Sequence, residues 1–156
     1  MKAIKSLVIL ITLLWILPAF AQVDPDFLKR AEQGDAEAQW YLGFKYKDGV
    51  DVPQDYTKAL YWFEKAAEQG SVEAQISLAG MFFYGEGVPL NHTKGVYWYK
   101  KSAEQGDAKA QFALGLMHGL GLGVIKDEQK SCGLIRASAE QGHRDAIELY
   151  NKFCAE

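Results

Sequence analysis

The tetrapeptide Ala-Glu-Gln-Gly occurs at Ala31, Ala67, Ala103 and Ala139, each step being 36 residues. A fixed period of this length constrains the fold more than anything else in the chain. One such segment holds a single supersecondary unit that cannot bury its apolar face alone, so neighbours must stack. Residues 31–66, 67–102 and 103–138 align without a gap, and 139–156 supplies the first half of a fourth unit. The agreement extends through the columns Ala38/Ala74/Ala110/Ala146, Leu42/Leu78/Leu114, Gly49/Gly85/Gly121, Val52/Val88/Val124 and Lys58/Lys94/Lys130.

Each unit parses into two helices. The first is expected from about Asp35 to Lys47, with the Ala38 and Leu42 columns four apart on one face, and it stops at the Gly49 column. A glycine-rich turn follows, which in the second unit reads Gly85-Glu86-Gly87-Val88-Pro89. In the first unit Asp51 stands where the second glycine should be. The second helix is expected to start at Asp55, Asn91 and Asp127, whose short side chains can accept from free N–H groups. It ends at Gly70, Gly106 and Gly142, in the position where a left-handed residue closes a helix, so the tetrapeptide reads as a structural stop signal. Small residues at Ala38, at Gly43/Ala79/Gly115 and at Ala59/Gly95/Ser131 mark close helix approaches. Trp62, Trp98 and Leu134, beside Phe63, Tyr99 and Ile135, fill the space between.

These residues resemble a known family. The run A-x-A-Q-x-x-L-G (Ala36 to Gly43), then G-x-G-V (Gly85 to Val88), then D-Y-x-K-A-x-x-W-F-x-K-A-A-E-Q-G (Asp55 to Gly70) is similar to the Sel-1-like repeat, a tetratricopeptide relative of longer period. The resemblance covers 31–151. It implies an all-α, right-handed α-solenoid of stacked antiparallel helix pairs and an adaptor or scaffold role without catalysis. Exported bacterial members suggest envelope assembly, secretion or signalling.

The ends of the chain differ from the stack. Met1 to Lys5 carries two positive charges, Ser6 to Phe20 is uncharged, and Ala19-Phe20-Ala21 fits a cleavage site, so 1–21 reads as a signal peptide and 22–156 as the repeat domain. A spanning anchor needs about 20 apolar residues, and Pro18 interrupts this run; no stable membrane insertion is expected after cleavage. Loss of Lys2 and Lys5 takes the net charge from −3 to −5. With no clustered Lys/Arg stripe to offset that charge, no nucleic-acid partner is expected. Periplasmic or secreted location follows. Asp24-Pro25 should open a short capping helix to Gln33, and 143–154 should form a final helix without a following partner. Three complete units are near the minimum for a stable stack, so either these caps suffice or self-association completes it.

Export also makes a Cys132–Cys154 disulfide the expected reading, two buried thiols being the alternative. In columns, Cys132 aligns with Leu60 and Val96, and Cys154 with Tyr46, Phe82 and His118. If second helices pack on the next unit's first helix, the pairs are Leu60 with Phe82, Val96 with His118, and Cys132 with Cys154.

The sequence offers little chemistry. Glu32, Glu68, Glu104 and Glu140 share a helix-end column, and His92, His118 and His143 lie in different columns without H-E-x-x-H or C-x-x-C. Gly115 to Gly123 lacks the phosphate-loop pattern and aligns with the other turns. Some cysteine-rich members of the family are linked with β-lactams, but S-x-x-K and K-T-G are absent here. No catalytic residue, cofactor or metal ligand is assigned.

Opposite the Leu42 column, the first helices carry Glu37, Trp40, Phe44 and Lys47; Glu73, Ile76, Gly80 and Phe83; and Lys109, Phe112, Leu116 and Gly119. Tyr41, Tyr84 and Leu120 flank them. In tetratricopeptide-type stacks this face is concave, and here it is apolar where water is expected. The expectation is a partner-binding groove at Trp40, Tyr41, Phe44, Ile76, Phe83, Tyr84, Phe112 and Leu116, against the alternative that these residues are core. The leading function is an exported scaffold holding a peptide or helix of another protein. An envelope hydrolase, β-lactamase-like or wall-acting, and an inhibitor of an envelope enzyme are the rival readings.

Overall fold

A computed structural model describes residues 23–155. The expected signal peptide at 1–21 lies outside the described residues. Those residues form eight helices and no strand: α1 Pro25–Glu32, α2 Ala36–Asp48, α3 Tyr56–Glu68, α4 Val72–Tyr84, α5 His92–Glu104, α6 Ala108–Leu120, α7 Glu128–Glu140 and α8 Arg144–Phe153. Among them no helix is long and apolar enough to cross a membrane.

Each helix is held at its ends by the residue types expected there. Asp55, Asn91 and Asp127 accept from the N–H of Lys58, Lys94 and Lys130 at 2.9–3.0 Å. The first helices are capped likewise by Asp35, Ser71 and Asp107, a column the repeat pattern contains but whose capping role only the backbone reveals. At the last unit the same column holds His143, whose Nδ1 accepts from Ala146 N–H at 3.3 Å. Asp24 caps α1 ahead of Pro25.

Packing follows chain order, α2 with α3, α4 with α5 and α6 with α7 most extensively, and each second helix also meets the next first helix. The two helices of a unit cross where the sequence supplies small residues. A Cβ at Gly43 would lie 2.5 Å from the Phe63 ring, and one at Gly115 would lie 2.8 Å from Ile135 Cγ1. Phe63 and Ile135 are buried, as is Tyr99, whose phenol is pushed up to about 12 by that burial.

Stacking also accounts for the glycine turns. Gly87 has φ +68°, and a Cβ there would overlap Tyr56 at the start of the preceding unit's second helix; Gly123 has the same relation to His92. The column therefore needs glycine for space as well as for φ. In the first unit the corresponding neighbour would be residue 20, outside the described residues. There Asp51 takes φ +58° and its carboxylate pairs with the buried Lys45.

A second device was not legible as such in the sequence. The glutamine of each of the last three A-E-Q-G copies reaches back across 30 residues to the first helix of the pair it closes: Gln69 to Gln39, Gln105 to Gln75 and Gln141 to Gln111, at 2.7–2.9 Å. Gln39 and Gln75, both buried, in turn donate to the carbonyls of Ala31 and Ala67 in the preceding helix. At Gln69 and Gln105 the tetrapeptide thus ends one helix and ties three together. In the fourth unit, where no second helix follows among the described residues, this column holds Ile147. Gln75→Leu removes two hydrogen bonds, to the Ala67 carbonyl and from the Gln105 amide, which keep the Gly70 N–H and the Gly70 carbonyl as remaining partners; at about 0.5–1.5 kcal/mol each, this should lower stability by about 1–3 kcal/mol in urea unfolding at unchanged m-value. Gln111→Leu, at a less buried site with one such bond, should cost less; equal costs would refute the ladder as a stabilising element.

The lysine column also has a cause. Lys58 Nζ lies 5.0 Å from the Tyr46 ring centroid and Lys94 Nζ 5.0 Å from that of Phe82, cation–π contacts between a second helix and its own unit's first helix.

Candidate functional site

The eight residues expected to form a groove fall into three local groups on the first helices. At the N-terminal end, Trp40 is half-buried against the core formed by Phe63, Leu78 and Met81, and its ring stands 6.3 Å from Phe44, which is 36% exposed. Trp40 also walls a cleft of about 390 Å³ with Glu37, Ser71 and Glu73. Tyr41 turns instead to the cap helix, its ring 4.7 Å from Phe27 and covered by Lys45 Nζ at 5.1 Å.

In the middle, Ile76 and Phe83 are half-buried against the core formed by Val96, Tyr99 and Leu114. Phe83 is flanked by His92 at 4.7 Å and by Tyr84 at 5.1 Å, and Tyr84 is 67% exposed. Here Lys47 of the first unit lies 3.7 Å from Glu86 of the second, bridging successive units. Asp48 and Glu86 hold the Lys47 ammonium above its ordinary range against the opposing effect of its burial.

At the C-terminal end, Phe112 stacks on His143 at 4.8 Å. Leu116 faces a different space, a cleft of about 490 Å³ whose walls include Leu120, Ile135, Leu149, Phe153 and the two cysteines. The repeat pattern held a signal for this cleft that sequence reasoning did not use. Phe153 aligns with Met81 and Met117, which are buried in clusters that include Phe63 and Tyr99 of the preceding second helices, whereas Phe153 is 66% exposed.

Cys132 and Cys154 are joined, with Cα atoms 5.5 Å apart, so α7 is linked covalently to α8. Leu60 packs against the cluster that contains Phe82, the equivalent pair one end of the stack away. A closed loop of 22 residues contributes roughly 3 kcal/mol by chain-entropy reckoning.

Ionisable groups with displaced titration have structural partners. Asp35 is held low by the Ala38 N–H and then by Arg30, and Asp55 by the Lys58 N–H. Lys126 holds Glu128 low, and Asp51 holds Lys45 high. None of these groups is paired with a nucleophile, and among the described residues no three His, Cys, Asp or Glu side chains are grouped to hold a metal.

A profile of the Sel1 repeat matches residues 36–71, 72–107 and 108–143, the same 36-residue period set five residues later than the division at Ala31. The chain is 42% identical over 50 residues to the secretory immunoglobulin A-binding protein EsiB of a uropathogenic Escherichia coli strain; the match covers 31% of this chain and 10% of that one. Among solved structures, a protective antigen of uropathogenic Escherichia coli with an SLR fold superposes with TM-score 0.77 at 40% identity, over 80% of this chain and 27% of its own. A Sel1 repeat protein from Oxalobacter formigenes superposes with TM-score 0.77 at 32% identity, over 81% and 96%. Helicobacter pylori cysteine rich protein B, at 23% identity and TM-score 0.64 over 82% and 97%, shares the fold.

Proposed function

We propose, from the premise that the chain belongs to the Sel1 repeat family, that it is an exported scaffold holding a peptide or helix of another protein along its first helices. Members of this family are protein-interaction scaffolds, and the relative EsiB is named for binding secretory immunoglobulin A. The observation that carries the reading to a face is the exposure of Phe44 and Tyr84 on successive first helices, beside the half-buried Trp40 and Phe83. Aromatic side chains that are neither core nor isolated supply large contact area at low entropy cost, and interfaces are enriched in them. The disulfide supports a periplasmic or secreted location. An envelope hydrolase gains no support from the ionisable groups, which cap helices or pair with one another.

Phe44→Ser/Tyr84→Ser should leave the melting temperature within a few degrees of wild type, because both rings are partly in water already. Affinity for a protein captured from the source envelope should fall tenfold or more, read by surface plasmon resonance. Retention of that affinity by the folded double variant would move the binding face elsewhere.

A further inference from the structure

The Trp40 cleft differs from its counterparts along the stack in what covers the aromatic ring. In the third unit the ring of Phe112 is stacked by His143, 31 residues on. The residue 31 on from Trp40 is Ser71, which lines the same cleft and is too small to cover an indole. An open space of about 390 Å³ is left between α2 and the start of α4. Two carboxylates wall it. Glu37 is 80% exposed and lies 3.8 Å from Arg30, whose guanidinium is already engaged by Asp35 at 2.6 and 2.9 Å. Glu73 accepts from the Ser71 hydroxyl at 3.3 Å. Both retain free acceptor positions. In the third unit the same column carries Lys109 in place of glutamate, so the negative wall is confined to the first two units.

We infer that this cleft receives an arginine side chain from an extended segment of the partner protein, stacked on Trp40 and paired with Glu37 and Glu73. A half-buried indole that walls a cleft with two carboxylates complements a planar cation. Tryptophan is the strongest cation–π acceptor, and a guanidinium can stack on a ring while donating to carboxylates at its edge. An aliphatic side chain would leave both glutamates without a new partner, and an acidic one would be repelled. The inference rests on the first helices being the binding face, and names one specificity pocket within it.

The test starts from twelve-residue random peptides displayed on phage and selected on the disulfide-bonded protein. Selected sequences should share one arginine among apolar residues. A synthetic peptide of that sequence should lose affinity tenfold or more, by fluorescence anisotropy, when the arginine is replaced by citrulline, which keeps the shape and removes the charge. E37Q/E73Q should weaken the arginine peptide by a similar factor and leave the citrulline peptide unchanged. Equal binding of the two peptides, with both still sensitive to Phe44→Ser/Tyr84→Ser, would overturn the arginine pocket and leave the binding face standing. Peptides insensitive to Phe44→Ser/Tyr84→Ser, or the absence of any enriched peptide, would overturn both.

Discussion

Gly87→Ala should destabilise the protein by roughly 2–5 kcal/mol, and Gly123→Ala by a comparable amount. Two costs combine at each site. A left-handed backbone costs an L-residue about 1–2 kcal/mol, and forcing an added methyl into a packed contact costs about 1–3 kcal/mol more. At Gly123 the added Cβ would sit 2.5 Å from the His92 carbonyl carbon, which is backbone and cannot swing aside. Asp51 occupies the same column with φ +58° in the first unit. Asp51→Asn, which keeps an acceptor for Lys45 and suits the left-handed region, should change stability by less than about 1 kcal/mol. Urea unfolding with the disulfide intact reads all three variants. A small effect of Gly87→Ala would mean that successive units pack less closely at their turns than this structure has them.

Removing the disulfide, by reduction or as Cys132→Ser/Cys154→Ser, should cost about 3 kcal/mol, with the loss concentrated in α8. Among the residues of that helix only Ala146 is buried, while Ile147 and Phe153 are 41% and 66% exposed. Non-covalent packing at this end is therefore thin, and the bond joins α8 to α7 in the columns where Leu60 and Phe82 meet in the first core cluster. Hydrogen exchange should show α8 amides losing protection on reduction while those of α4 and α5 keep theirs. Equal melting of the oxidised and reduced proteins, with α8 still protected, would show that α8 is held by its side chains alone.

The helix boundaries were legible because they depend on local chemistry. Asp55, Asn91 and Asp127 cap the helices that their short acceptors predict, and the glycines of A-E-Q-G follow the helix ends. The pairing of Cys132 with Cys154 was also legible, since a period of 36 residues turns sequence position into spatial position and the columns name the neighbours. The proposed binding face was legible only as a pattern. Tyr41 and Phe44 sit three apart on one helix with similar chemistry, yet Tyr41 is taken up by Phe27 of the cap helix while Phe44 stands partly in water.

The sequence by itself determined the unit, its two helices, their caps and their order in the stack, because each of these is fixed by residues within one period or by the same residue one period on. Only the tertiary structure decided which members of a column are free. His143 closes over Phe112 while Ser71 leaves a cleft beside Trp40, Tyr56 excludes any side chain at Gly87 while Asp51 is tolerated, and Gln75 is buried in a ladder whose column holds the apolar Ile147 in the last unit. Exposure and crowding are properties of the space between successive units, and that space is set by whichever side chain the neighbouring unit places across it.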